Sequence, residues 1–180
     1  MFRSNKRLRA DEKVLWRGKP VMLPFIVPTL ATIPVGLIFL GFAVIWMRGA
    51  TSVGAPRFFP LFGLPFVLIG LGVTVGPSIW QLMRYRNTEY VITDQRLITQ
   101  TGAIGLDTRF VDLDKIQEVY VKIGVIDKLF GTGSIQVLTA GEVYVGRGRP
   151  SIRPSISALK EPYEVQNILQ EAISKTPAKG

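Results

Sequence analysis

The sequence predicts a two-helix transmembrane hairpin followed by a mainly β domain of about seven antiparallel strands, an open barrel with a C-terminal capping α-helix. Three observations carry this expectation. Pro20 to Met47 and Phe58 to Met83 contain no Asp, Glu, Lys or Arg. From Thr88 onward the apolar residues recur at every second position, as in a half-buried strand. Near the end, Val165, Ile168, Leu169 and Ala172 fall at i, i+3, i+4 and i+7, one stripe of a helix.

The uncharged runs come first. An α-helix rises about 1.5 Å per residue, so about 20 residues cross a hydrocarbon layer about 30 Å thick. Both runs exceed that, and a domain this small has no core long enough to hide two such helices. The first run is about twice the usual apolar region of a leader peptide, and Pro56 follows the small residues after it, so a retained span is expected. The expected divisions are a basic N-terminal segment 1–20, the hairpin 21–83 with helices at about 23–47 and 60–82 and a loop 48–57, the β domain 84–175, and a frayed tail 176–180. Pro34 and Pro65 should loosen their helices. Gly36 and Gly41 in one run and Gly72 and Gly76 in the other permit close helix packing, within the hairpin or against another chain.

Charge orients the hairpin. Residues 1–20 hold seven Lys/Arg against Asp11 and Glu12, the intervening loop holds only Arg48 and Arg57, and Arg84, Arg86 and Arg96 follow the second run. Basic residues accumulate on the cytoplasmic side, so the expectation is a multi-pass cell-membrane protein with both termini cytoplasmic. Trp80 and Tyr85 suit the inner interface, with Trp16 as a possible addition, and Trp46, Phe58 and Phe59 suit the outer one. The net charge of +9 belongs chiefly to these flanks, because residues 84–180 carry thirteen basic and eleven acidic residues. Anionic lipid therefore explains the high isoelectric point better than nucleic acid does, and no nucleic-acid partner is expected.

The β domain reads in order. Glu89 to Thr93 and Arg96 to Thr101 are β-branched and aromatic runs around the turn Asp94-Gln95. Thr108 to Leu113 and Ile116 to Ile123 alternate, and Gly124 to Phe130 is a short apolar excursion closed by Gly131-Thr-Gly133. Ile135 to Thr139, Val143 to Val145 and Ser151 to Ser157 complete the expected set. Pro162 suits a first helical position, with Glu161 and Glu164 at the positive helix end and Lys175 at the other. Arg96 is expected on a solvent face, and Gln166 on the outer face of the last helix.

Seven strands and a C-terminal amphipathic helix form the pleckstrin-homology (PH) outline, and the residues sharpen it. Tyr90-Val-Ile-Thr-Asp-Gln-Arg-Leu-Ile-Thr-Gln-Thr-Gly102, Leu113-Asp-Lys-Ile-Gln-Glu-Val119 and Leu129-Phe-Gly-Thr-Gly-Ser-Ile-Gln-Val137 resemble the bacterial membrane-flanked PH-like domains (DUF304 or bPH2, YdbS-like). Glu12-Lys-Val-Leu-Trp-Arg-Gly-Lys-Pro20 is similar to the segment that precedes the paired helices in that family, and Pro162-Tyr-Glu-Val165 to its final helix start. The resemblance implies a PH-like fold and tethering to a membrane, and leaves the ligand open. Glu142 to Pro154 is richer in arginine and proline than the family pattern.

Candidate contacts for lipid headgroups or a partner are the cations near the membrane, Lys13, Arg17, Lys19, Arg84 and Arg86, and the cluster Arg147, Arg149 and Arg153. Arginine's planar fork suits phosphate oxygens. With no histidine and no cysteine, the commonest zinc ligands, thiolate nucleophiles and imidazole bases are missing. Asp107, Asp112 and Asp114 are spaced along one strand and its end without a shared face. No catalytic residue, metal or cofactor is expected. The function expected is a non-catalytic, membrane-tethered interaction module for protein partners, anionic lipid or both. The alternative is an accessory subunit of a larger membrane complex, or a homo-oligomer, assembled through the glycine-rich hairpin.

Overall fold

The computed structural model describes residues 8–9, 11–139 and 154–176. Regular structure begins ahead of the apolar runs, with strand β1 (Val14–Gly18). The first long helix follows as α1 (Met22–Ile26), a 3-10 stretch Val27–Thr32, and α2 (Ile33–Ser52). A 3-10 turn Phe59–Gly63 then leads into α3 (Leu64–Asn87). Thus Pro34 and Pro65 each stand in the first turn of an α-helix, with 3-10 geometry just before them. There proline's missing N–H costs nothing. Thr29 and Thr32 hydroxyls donate to the carbonyls of Ile26 (2.7 Å) and Thr29 (2.8 Å) in the 3-10 stretch. The helices are longer than expected, with α2 passing Arg48 to Ser52 and α3 passing Met83 to Asn87. Charge marks where an apolar run stops, but a helix continues for as long as its backbone bonds are made.

Glycine sets where the two helices cross. A Cβ on Gly36 would meet the Thr74 hydroxyl and lie 2.7 Å from the Gly70 carbonyl oxygen, and one on Gly70 would lie 2.7 Å from Leu40 Cγ and 2.9 Å from the Gly36 oxygen. Thr74 Oγ1 in turn donates to Gly70 O at 2.6 Å. At the far end Trp46 stacks on Phe59 with ring centroids 5.6 Å apart, and Phe42 packs against Phe66 at 4.7 Å.

The β domain follows after a single residue. β2 (Glu89–Thr93), β3 (Arg96–Thr101) and β4 (Asp107–Asp112) complete an antiparallel sheet in the order β1-β2-β3-β4. β5 (Ile116–Lys122), β6 (Gly133–Thr139) and β7 (Ser155–Leu159) form a second, and α4 (Val125–Phe130) lies in the β5–β6 connection. The core lies between the sheets: Tyr90, Ile92 and Leu97 from one, Ile135, Val137 and Ile156 from the other, with Leu113 and Leu159. The last helix, α5 (Pro162–Lys175), closes it with Val165, Leu169 and Ala172. Its Gln166, expected on the outer face, instead donates to Val119 O at 3.2 Å.

β1 changes the division of the chain. Gly18 pairs with Tyr90 and Val14 with Thr93, so the N-terminal segment supplies the edge strand of the domain's first sheet and the hairpin is inserted between β1 and β2. Trp16, placed near the inner interface by its sequence position, packs partly against the domain core and covers Gly18, where a Cβ would collide with its ring. The expected strand Val143 to Val145 lies outside the described residues.

Candidate functional site

Strand direction gives the domain two ends. β2 starts where α3 stops, so Gly18, Glu89, Thr101, Asp107, Lys122, Gly133 and Leu159 lie toward the hairpin, while Val14, Thr93, Arg96 and Asp112 lie at the far end. The junction is tied by more than the chain. Val21 N–H donates to Ala158 O at 2.7 Å. The Asn87 side-chain amide donates to the carbonyls of Gly102 (3.1 Å) and Ala103 (3.2 Å), and Gln100 Nε2 donates to Asn87 O (3.4 Å). Gln81 Nε2 donates to Phe25 O at 2.9 Å, and the Phe25 and Tyr85 rings stand 6.2 Å apart, so α1 lies at the level of residues 81–85 of α3.

The candidate cations divide by position. Arg84 and Arg86 are exposed on the last turn of α3, and Lys19 is exposed between β1 and α1, all at the hairpin end. Arg17, at the same end, is ion-paired with the buried carboxylate of Glu89. Lys13 is at the opposite end, where its N–H donates to Asp94 Oδ1 at 3.0 Å and its carbonyl accepts from Asp94 N–H at 3.0 Å. It therefore stands apart from the cations beside the hairpin. Arg147, Arg149 and Arg153 lie outside the described residues.

The packing glycines divide too. Gly36 sits in the helix crossing, whereas a Cβ on Gly41, Gly72 or Gly76 would meet nothing within 4 Å. The small-residue pair Gly72 and Gly76 thus faces away from the hairpin's own contact.

Arg96 corrects an expectation. It is 8% exposed, and its Nε and Nη2 donate to Glu12 Oε1 and Oε2, each at 2.8 Å. Thr93 Oγ1 donates to Glu12 Oε1 at 2.8 Å and the Arg9 N–H to Oε2 at 2.9 Å, while Phe110 lies under the guanidinium at 4.5 Å. Burial pushes the Glu12 carboxyl upward, but the Arg96, Arg9 and Thr93 hydrogen bonds and the arginine charge outweigh it and hold Glu12 below the usual carboxylate range. The pair locks the segment before β1 onto the β2–β3 turn. Burial also raises the phenol of Tyr90, whose oxygen accepts from Ser157 N–H at 3.2 Å.

Open clefts lie at both ends of the domain among the described residues. One of about 470 Å³ lies at the hairpin end, bordered by Ile123, Lys128, Thr132, Lys160, Pro162 and Tyr163. The other, about 490 Å³, lies at the far end among Arg9, Asp94, Gln95, Asp112, Asp114 and Lys175. Asp107 pairs with Arg109 (3.4 Å) and Asp112 with Lys115 (3.5 Å), so the carboxylates of that strand are engaged separately.

Two antiparallel sheets around one core, closed by a C-terminal helix and preceded by two long apolar helices, define a PH-like domain on a helical hairpin. The Bacterial PH domain family model matches residues 22–173, and the chain belongs to that family. The match begins at α1, after the strand that completes the first sheet. Among solved structures, a DUF1696-family protein with a pleckstrin-homology domain from Shewanella loihica PV-4 is similar at 16% identity and a TM-score of 0.34, over 51% of this chain and 71% of that one. No curated protein matches the chain.

Proposed function

We propose that this protein is a non-catalytic interaction module, held at the cytoplasmic face of the cell membrane by a spanning hairpin and presenting its PH-like domain to anionic lipid headgroups, protein partners or both. The observation that carries the reading is the insertion of the hairpin between the paired strands β1 and β2. Two long apolar helices leave the domain from adjacent strands, so membrane and domain are joined at two points rather than by a loose linker. Met22–Ser52 and Phe59–Asn87 are each long and apolar enough to cross a bilayer. Their exposed faces carry Leu37, Ile38, Ile45, Leu68 and Ile69, which suits lipid as solvent. Arg84, Arg86 and Lys19 then stand at the headgroup level, where each adds about 1 kcal/mol toward an anionic surface.

The test uses the full chain, because β1 is part of the sheet and a fragment beginning at Arg84 would lack it. The chain is reconstituted in nanodiscs of mixed neutral and anionic phospholipid, and its retained lipids are measured by native mass spectrometry. Anionic enrichment that falls on Arg84→Gln with Arg86→Gln supports the lipid arm, and equal retention of both lipids sinks it. For protein partners, the measurement is crosslinking in native membranes followed by mass spectrometry.

The second reading, a subunit of a larger assembly, is favoured by Gly41, Gly72 and Gly76, which leave room for a close helix approach that the hairpin itself does not use. Recovery of the monomer alone after crosslinking through that face would count against it.

A further inference from the structure

We propose that the domain is seated on the bilayer by two apolar prongs, the β3–β4 loop at Ile104 and Leu106 and one face of α4 at Val125 and Leu129, which enter the lipid interface beside the base of the hairpin. This deepens the tethered-module reading and rests on its membrane-spanning hairpin.

Exposure is the first support. Outside the hairpin and its connecting loop, the exposed large apolar side chains among the described residues are Val14, Leu15, Ile104, Leu106, Phe110, Ile123, Val125, Leu129 and Tyr163. Six of these nine, all but Val14, Leu15 and Phe110, lie at the hairpin end of the strands. Val125 is 88% exposed, Ile104 80% and Leu129 79%, so these tips bury almost nothing within the chain. Residues four apart share a helix face, so Val125 and Leu129 project together.

Level is the second. α4 packs against α1, and α1 lies beside Gln81 and Tyr85 of α3. That is the stretch from Trp80 to Arg86, which holds both arginines, where a span meets the headgroups. The β3–β4 loop is held at the same end by the Asn87 amide, one residue beyond Arg86. The prongs therefore flank the point where the hairpin enters lipid, continuous with an apolar surface already facing it.

Rigidity is the third. In α4, Asp127 accepts from Gly124 N–H (3.0 Å) and Thr132 Oγ1 (3.0 Å), and Gly131 ends the helix at φ +62°. The one acid in the helix is thus turned to its own backbone and neighbour. The β3–β4 loop closes tightly enough that a Cβ on Gly102 would collide with the Gly105 carbonyl. Preformed loops with apolar tips insert without first having to order themselves. Exposed Lys122 precedes α4 and exposed Lys128 lies within it, and both carry long stems that let their ammonium groups reach the headgroup layer.

The chain has no cysteine, so single cysteines can be spin-labelled without background. Ile104→Cys, Val125→Cys and Leu129→Cys are labelled in the full chain in phospholipid nanodiscs, with Leu68→Cys on the exposed apolar face of α3 and Ser174→Cys at the far end of α5 as references. Relaxation by oxygen, which partitions into lipid, is compared with relaxation by a water-soluble nickel chelate. The expected result is oxygen-dominated relaxation at positions 68, 104, 125 and 129 and nickel-dominated relaxation at 174. Nickel-dominated relaxation at either prong, or protection there from both reagents as in a protein contact, overturns the proposal while position 68 still reports lipid. Nickel access at position 68 would overturn the spanning hairpin itself.

Discussion

Glu12→Gln isolates the buried ion pair that fastens the N-terminal segment to the domain. The parent carboxylate accepts two arginine bonds at 2.8 Å, one threonine bond at 2.8 Å and one backbone bond at 2.9 Å. The amide keeps the shape but removes the carboxylate charge that faces the Arg96 guanidinium, which is 8% exposed. Breaking a buried pair from one side costs about 3–5 kcal/mol. Glutamine retains one acceptor, so the lower end applies, about 3 kcal/mol. For a chain of this size that is a fall in Tm of roughly 6–12 °C. The assay is thermal unfolding of the full chain in detergent, followed by near-ultraviolet circular dichroism. Adding Arg96→Met should recover much of the loss, because removing both charges leaves no orphan. A Glu12→Gln variant within about 0.5 kcal/mol of the parent, as at a surface site, would refute the reasoning. So would a double variant as unstable as the sum of its singles. The pH dependence has a definite sign. The folded carboxyl lies below its usual value of 4.5, so the unfolded chain binds more protons in acid. The contribution is complete above about pH 4.5 and is lost as pH falls through the depressed value. Glu12→Gln should flatten that acid limb.

Gly36→Leu should disrupt the α2–α3 crossing at a cost of about 1–3 kcal/mol, whereas Gly72→Leu should leave the hairpin's own stability within about 0.5 kcal/mol. Unfolding in graded detergent mixtures reads both, and equal effects would contradict the assigned crossing. Asn87→Ala removes two side-chain bonds to the β3–β4 loop, and amide exchange around Ala103 to Leu106 should quicken by about tenfold, as expected for about 1–1.5 kcal/mol of lost tie. Unchanged exchange would place the loop's order elsewhere.

The sequence disclosed some of this more readily than the rest, for physical reasons. Uncharged runs of this length have few soluble uses, so the paired helices were legible at once, while their ends were not. β2 to β6 announced themselves by alternation, and α5 by its stripe. β1 did not, because Val14–Gly18 is a five-residue edge strand set among basic residues, with its partner on the far side of the hairpin. Arg96 read as a solvent-facing turn residue because its partner is Glu12, 84 positions earlier. Turn chemistry suggested a purely local role for Asp94 and had nothing to say about partners as remote as Lys13 and Glu12. The excursion at Gly124 to Phe130 was visible as apolar, yet only the structure shows Val125 and Leu129 turned outward. Of the candidate cations, Lys19, Arg84 and Arg86 stand beside the base of the hairpin, whereas Lys13 lies at the other end because β1 carries it there.

The central claim, a PH-like domain held to one membrane face by a hairpin inserted in its first sheet, is tested most directly by topology. Single cysteines at Ala55, between α2 and α3, and at Ser174, near the end of α5, are probed with a membrane-impermeant maleimide in intact cells and in inverted vesicles. The account predicts labelling of position 55 only in intact cells and of position 174 only in inverted vesicles. Labelling of both positions from the same side would contradict it.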